Sequence, residues 1–380
     1  MIELSAPNIG KAEIDRVMDA LGRNFVSTYG PLVEEFESKL AATAGVKEAV
    51  ALSSGTAALQ VSLRLAGVMP GDLVVVPDYT FIATANAVSY LGATPLFVGV
   101  EPDTLNLSAV TLNELLHTEF REGANGELFH TATKKRLGGI VPVFALGLPP
   151  DASSLSQIAR DFRIPMVFDG AGGLGASADG GVFGHGMASI VSFNGNKMIT
   201  TGSGGAILTD DPSFASAARH LITTARVPGT YLHDAVGYNY RMTNLAAAIG
   251  LAQLDRFGQF VSTKQKIAGA YRQIAEKTGH RGFPVSRNAE SSHWMSGLRF
   301  AGSDRFEMRS MLAEELHRLG ISSSTLWQSM SLQPAYDARS GRAVYFGGNA
   351  APDFGLLALP SSTTLRETQL SFVLESVEKF

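Results

Sequence analysis

The chain has 380 residues, of which 45% are hydrophobic and 17% charged, so it can build one large and one smaller core and does not read as disordered. A formal net charge of −4 and a pI near 6.1 argue against nucleic acid as the main partner. The absence of cysteine excludes disulfides, thiolate metal sites and cysteine nucleophiles, and it suits a reducing cytoplasm.

The N-terminus, MIELSAPNIGKAEIDRVMDAL, has acids early and lacks the apolar core of a signal peptide. No stretch approaches the roughly 18 uninterrupted apolar residues of a membrane span. A cytoplasmic protein without membrane partners is therefore expected. The eight histidines are scattered without ligand spacing, so no metal site is expected. No GxGxxG followed by an acid stands after a strand, which disfavours a dinucleotide-dependent dehydrogenase.

Short apolar, β-branched runs alternate with helical patterns over the first two thirds. Strands are expected at Glu48–Leu52, Leu73–Val76, Thr94–Val98, Ile140–Val143, Met166–Asp169, Ile190–Phe193 and Ala206–Leu208. Amphipathic segments such as Thr56–Leu65 and Ser153–Asp161 lie between them. This spacing implies an α/β fold with a mostly parallel sheet covered by helices on both faces. Ligands of such sheets bind beyond the carboxyl ends of the strands. After Tyr240 the pattern changes to two long helices, Asn244–Phe260 and Lys264–Lys277. HWMSGLRF then reads as a strand and RFEMRSMLAEELHRLG as a helix. The expected division is a large domain over 1–258 and a small C-terminal α/β domain over 259–380.

The most informative stretch is SFNGNKMITTGSGG, Ser192–Gly205. A strand ends there, and small polar residues deliver Lys197 into a glycine-rich loop. A lysine kept out of water, or beside another cation, loses its proton readily and can form a Schiff base with an aldehyde; the alternative is a surface lysine in a turn. Asp169 ends the strand IPMVFD, just before GAGGLGA. A carboxylate there could hold the proton on the ring nitrogen of pyridoxal 5′-phosphate (PLP), or it could cap the next turn. Gly55 and Thr56 follow a strand and open a helix, where free N–H groups and the helix dipole favour a phosphate. Phe81, just past the strand LVVV, could stack on a flat ring or fill a core. GYNYRM, Gly237–Met242, is either part of the same site or a polar turn capping the next helix. Together these residues form a constellation at the carboxyl ends of one sheet.

The order of these motifs resembles the DegT/StrS-type nucleotide-sugar aminotransferases, within fold type I of the PLP enzymes. The likeness runs through FVSTYGPLVEEFE, GTAAL, TFIATANAV, LGATPLFV, SFNGNKMITTGSGG and GYNYRMTNLAAAIGLAQL. It implies a mostly parallel seven-stranded sheet with a smaller C-terminal domain. It further implies PLP held as a Schiff base on Lys197, with Asp169 on the pyridinium nitrogen. Phe81 and Ala171 would lie against the two ring faces. Gly55, Thr56 and Ser192 would hold the phosphate, and Asn239 would reach the phosphate of a neighbouring subunit, making a homodimer with shared sites. The expected partners are a nucleotide-sugar substrate and an amino-acid donor, expected to be glutamate. Arg226 and Trp327 are the candidates for substrate contacts.

SFNGNK with ITTG, TTARVPGTYLHDAVGYNYRM and LWQSM…PAY most resemble the enzymes that aminate UDP-2-acetamido-2,6-dideoxy-4-keto-hexoses, of bacillosamine and legionaminic acid type. GDP-perosamine synthases share the GNK and ITTG pieces and are the nearest rival. PLP-dependent sugar dehydratases carry histidine in place of the lysine. A degenerate relative with a regulatory or structural role is the remaining alternative. The chain departs from the family pattern at Gly172, where Gln or Glu is usual near the cofactor's ring hydroxyl. It departs again at Phe144 and Leu148, where the subgroup tends to have histidines, and at Ser324, where it has an arginine. Lost polar contacts in the substrate pocket are expected from the last three.

Overall fold

The computed structural model describes residues 1–337, 340–347 and 354–380. Its centre is a sheet of seven strands: β1 (Glu48–Leu52), β2 (Leu73–Pro77), β3 (Thr94–Val98), β4 (Leu137–Ile140), β5 (Val167–Asp169), β6 (Ala188–Ser192) and β7 (Gly205–Thr209). Two ladders, β1-β7-β6-β5 and β4-β2-β3, are joined by parallel bridges from Ile140 to Met166 and from Val143 to Asp169. Every strand of this sheet runs the same way except β7, which is antiparallel to both β1 and β6. Val344–Phe346 adds a parallel edge strand beside β3.

The strands are apolar on both faces because both faces are covered. Ala49, Ala51, Leu73, Val75, Leu96, Val98, Val191, Ala206 and Leu208 point to one core. That core is closed by the helices Leu32–Ala44, Ala109–Glu119 and Asn244–Asp255. The alternate residues Val50, Leu52, Val74, Val76, Phe97, Ile190 and Ile207 point to the other, closed by Gly55–Leu65, Ala83–Tyr90 and Pro212–Ile222. This period of two in the strands is the pleat itself. A third core lies in the C-terminal region. There the antiparallel strands Arg281–Gly282, Ser296–Arg299 and Leu356–Leu359 pack on the helices Phe257–Lys277, Arg305–Arg318 and Glu367–Lys379.

The expected strand at Ile140–Val143 lies three residues earlier, at Leu137–Ile140, and only Val143 of the remainder bridges onward to Asp169. The two long helices fall at Asn244–Asp255 and Phe257–Lys277 and meet at Arg256. Its guanidinium bonds Glu13 at 3.1 Å and Asn8 at 3.0 Å, which pins the corner. Phe257–Lys277 contributes Phe260 to the large core and Ile267, Tyr271 and Ile274 to the small one. The proposed division after residue 258 therefore lies in its first turn.

Lys264 on that helix is only 2% exposed. Its ammonium donates to the Trp294 carbonyl at 2.8 Å, and burial lowers its pKa to about 7. Between about 7 and the ordinary lysine value of 10.5 the unfolded chain binds more protons than the folded one. Stability therefore rises with pH across that window and lacks this contribution below it. Lys264→Met is expected to raise the melting temperature most below about pH 7 and progressively less toward 10.5. Thermal melts across that range check this; a gain independent of pH would mean that charge burial is not the cause.

Candidate active site

Four turns meet at the carboxyl edge of the sheet. The Lys197 loop is the most built of them. Thr200 Oγ1 donates to the Phe193 carbonyl at 3.1 Å and accepts the Gly202 N–H at 2.9 Å, while Gln253 takes the Thr200 N–H at 3.2 Å. Lys197 N–H itself bonds the Asn194 carbonyl at 3.0 Å. The ITTG run is thus a scaffold that sets where the lysine emerges.

The half-buried Lys197 side chain lays its ammonium over the Trp294 ring, 3.7 Å from the centroid. Burial lowers its pKa to about 8, and the Asp169 charge opposes that shift; the indole face also favours the charged form. Asp169 is buried at the end of β5. Its carboxylate accepts Thr84 Oγ1 at 2.7 Å and the Ala171 N–H at 3.1 Å. Burial raises its pKa against those bonds and the Lys197 charge. Desolvation therefore outweighs pairing at both groups. A lysine that yields its proton near neutrality and a carboxyl that holds one readily are a usable pair.

Gly55 begins the helix Gly55–Leu65, with Ser54 Oγ capping the Ala57 N–H at 3.1 Å. A side chain at residue 55 would stand 3.0 Å from Ser192 Cβ, so the helix start and the end of β6 close together around the expected phosphate position. Thr56 follows in the same turn. Phe81 is 55% exposed and lies 6.1 Å from Trp327, which lies 5.6 Å from Tyr79. These rings form an aromatic wall beside the turn after β2. Ala171 is half-buried against the core under β5.

Asn239 and Arg226 lie on a segment that reaches the Gly55 turn through Tyr240, whose carbonyl accepts the Ser53 N–H at 2.8 Å. Both are exposed on the segment that pairs Thr223 with Asn239 and Arg226 with His233. Arg226 Nε donates to the Thr230 carbonyl at 2.6 Å, and its guanidinium sits 4.2 Å from the Tyr231 centroid. Among the described residues of this one chain, neither bonds Lys197 or Asp169.

Phe144 and Leu148 are 3% and 1% exposed. Phe144 stacks on Phe183 at 5.7 Å and fills the space that a side chain at Gly173 would need. Both side chains are buried and apolar, so neither offers a polar contact. Ser324 pairs its backbone with Ala358 and accepts the Leu326 N–H on its hydroxyl at 3.4 Å. Trp294 and Thr84 were not singled out from the sequence. Thr84 carried a signal, since its helix follows directly on Phe81; Trp294 lies in a distant segment that reads only as a strand.

The residues fit PLP. Asp169 suits a protonated ring nitrogen, the Gly55–Ser192 cradle suits a phosphate, and Lys197 suits an aldehyde. Residues 7–378 match the family described as the DegT/DnrJ/EryC1/StrS aminotransferase family. The chain belongs to this family. It is 33% identical to the GDP-perosamine synthase of Caulobacter vibrioides over 388 residues, covering 100% of this chain and 98% of the relative. It is 31% identical to that of Escherichia coli O157:H7, covering 100% and 98%. A proposed sugar aminotransferase of Streptococcus pneumoniae, solved in a PLP form, superposes with a TM-score of 0.86 at 26% identity, covering 100% of this chain and 98% of that one. The chain is accordingly a PLP-dependent sugar aminotransferase of fold type I, and no described helix is long and apolar enough to cross a membrane.

Burial of Asp169 carries a cost in stability. Its raised pKa means that the folded state holds the proton more tightly than the unfolded chain, so stability falls as pH rises from the ordinary value of 3.8 through the folded value. Asp169→Asn is expected to raise the melting temperature of the cofactor-free protein at neutral pH, with the advantage vanishing toward pH 3.8. The same substitution should lower kcat about 100-fold or more, as removal of a charge that acts in the transition state does. Melts and steady-state rates on one preparation check both halves.

Proposed function

We propose that this enzyme transfers an amino group from an amino-acid donor, glutamate in the first instance, to the C4 ketone of a nucleotide-linked 4-keto-6-deoxyhexose. The donor is released as its keto acid, with a carbonyl oxygen taken from water, and the sugar's ketone oxygen leaves as water. The observation that carries the chemistry is Lys197, with a pKa of about 8, set on one sheet edge with the buried carboxylate of Asp169. Bound PLP supplies an electron sink. Lys197 anchors it through its amine and, once displaced, moves a proton between the sugar carbon and the cofactor. Asp169 holds the ring-nitrogen proton, so its charge acts where electrons gather. Phe81 and Ala171 would lie against the cofactor's ring, and Gly55, Thr56 and Ser192 would hold its phosphate. Trp327, whose ring lies 6.1 Å from that of Phe81, is the candidate for packing against the sugar.

The whole-length likeness to GDP-perosamine synthases favours a GDP-linked 4-keto-6-deoxymannose. A second reading, a UDP-linked 2-acetamido-4-keto sugar, is supported by the SFNGNK, TTARV and GYNYRM motifs. Buried Phe144 and Leu148 give no reason to prefer either. Steady-state comparison of GDP-, UDP- and dTDP-linked 4-keto-6-deoxy sugars is expected to give the highest kcat/KM with the GDP sugar. A clear preference for the UDP acetamido sugar would reverse the order of the two readings.

Asn239 is proposed to reach the cofactor phosphate of a partner subunit, because it is exposed on the 223–240 segment with Tyr231, Leu232 and Val236, which are 87%, 69% and 80% exposed. Arg226 on the same segment is the candidate contact for the sugar diphosphate. Asn239→Ala and Lys197→Ala chains should each be inactive or weakly active alone. Mixing them with subunit exchange should restore activity, since one of the two sites in a heterodimer then carries neither lesion. No recovery despite exchange would place Asn239 in its own subunit's site.

A further inference from the structure

Trp294 sits on the segment between the short strand Ala289–Glu290 and the strand Ser296–Arg299, far in sequence from the residues it meets. The residue is 4% exposed, and its indole Nε1 is buried with no hydrogen-bond partner among the described residues. A buried donor without an acceptor costs about 1–3 kcal/mol, so an unpaired N–H at a site that takes a ligand points to an acceptor on that ligand. The indole is held firmly. Lys264 donates to the Trp294 carbonyl at 2.8 Å, and the Ser292 hydroxyl accepts the backbone N–H of Trp294 at 3.3 Å while donating to the Gly172 carbonyl at 2.5 Å.

Two contacts define where that donor stands. The ring carries the Lys197 ammonium at 3.7 Å. A Cβ at Gly172 would collide with Trp294 Nε1 and come within 2.8 Å of Cδ1 and 2.9 Å of Cε2. The space next to residue 172 is therefore filled by the indole and is closed to any side chain. PLP offers polar atoms at its phosphate, its ring nitrogen and its ring hydroxyl. The first suits the Gly55–Ser192 cradle and the second suits Asp169. The hydroxyl carbon is the direct neighbour of the carbon that bears the aldehyde, so the hydroxyl must lie close to the lysine amine that binds there. The donor beside that amine is Trp294.

We propose that Trp294 is a cofactor-binding residue whose indole N–H donates to the ring hydroxyl oxygen of PLP, and that residue 172 is glycine because the indole occupies its side-chain space. This rests on the reading of Lys197 as the cofactor's carrier. Trp294→Phe keeps an aromatic ring near Lys197 and removes the N–H together with one of the two fused rings, a packing change that a cofactor analogue controls for. Its affinity for PLP, measured by cofactor titration of the stripped protein, should fall about tenfold. Affinity for an analogue with hydrogen in place of the ring hydroxyl should be unchanged between the two proteins. The absorption maximum of bound PLP should also shift in the variant. Equal losses for both ligands, or no loss for either, would overturn the assignment. Gly172→Ala should weaken PLP binding, and the Trp294→Leu background should relieve that defect; an alanine tolerated in the parent protein would overturn the steric half. Borohydride trapping of PLP on Lys197 in the parent protein is scored alongside. Failure there defeats the lysine reading itself and is distinct from a negative result at Trp294.

Discussion

The sheet is joined across its middle at the residue that also carries its buried charge. The Asp169 N–H donates to the Pro142 carbonyl at 2.8 Å, and the Asp169 carbonyl accepts the Phe144 N–H at 2.9 Å. These are the bonds that join the two ladders beyond β4 and β5. The backbone of Asp169 is thus committed to the fold while its carboxylate is committed to the site. Thr84 and the Ala171 N–H satisfy both oxygens, and Thr84 is itself 2.8 Å from Thr80 Oγ1. A carboxylate so placed cannot relax away from its task, which is the sense in which a site is preorganised. The conflict between stability and function is local: desolvation favours the neutral acid, whereas the proposed role needs the carboxylate charged.

Close approach is the second constraint. A Cβ at Gly205 would overlap the start of the helix at Gly55, one at Gly173 would overlap Phe144, and one at Gly172 would overlap Trp294. Each glycine removes a side chain where two backbones or a backbone and a ring must touch. The site is therefore shaped as much by omitted side chains as by the polar ones. Lys264 supports this arrangement from behind, since its buried ammonium fixes the Trp294 carbonyl and so the segment that presents the indole.

Much of this was legible in the residues. Runs such as LVVV and EAVAL are apolar without alternation, and that pattern demands a sheet covered on both faces, as found. The Lys197 loop and Asp169 were legible because their chemistry is local: a residue type, a strand end and small neighbours. LGGIVPV was harder, because continuous apolar character does not mark where a ladder begins; the paired stretch starts at Leu137 and breaks before Val143. The break between the two long helices was also misplaced, because Arg256 is pinned by Glu13 and Asn8 at the far end of the chain. Trp294 was illegible for the same reason. Nothing in HWMSGLRF says which way the indole turns, and its role appears only when residues 172, 197 and 294 are brought together in space.

The departures from the family pattern separate once the packing is known. Gly172 is tied to Trp294, whose indole occupies the space a side chain at 172 would need. Phe144 stacks on Phe183 at an interplanar angle of 4° and belongs to the core. Ser324 spends its hydroxyl on the Leu326 N–H, and Leu326 takes the left-handed backbone conformation, φ 53°. The turn that results sets Trp327 against Tyr79 and Phe81. A serine there shapes the aromatic wall instead of offering a charge to a diphosphate, so recognition of the nucleotide must draw its cations from another part of the molecule. Arg226 lies on the exposed 223–240 segment with its guanidinium resting on Tyr231, and that segment also carries Asn239. Binding of phosphate groups by this enzyme would then depend on a surface that one chain alone leaves open to solvent.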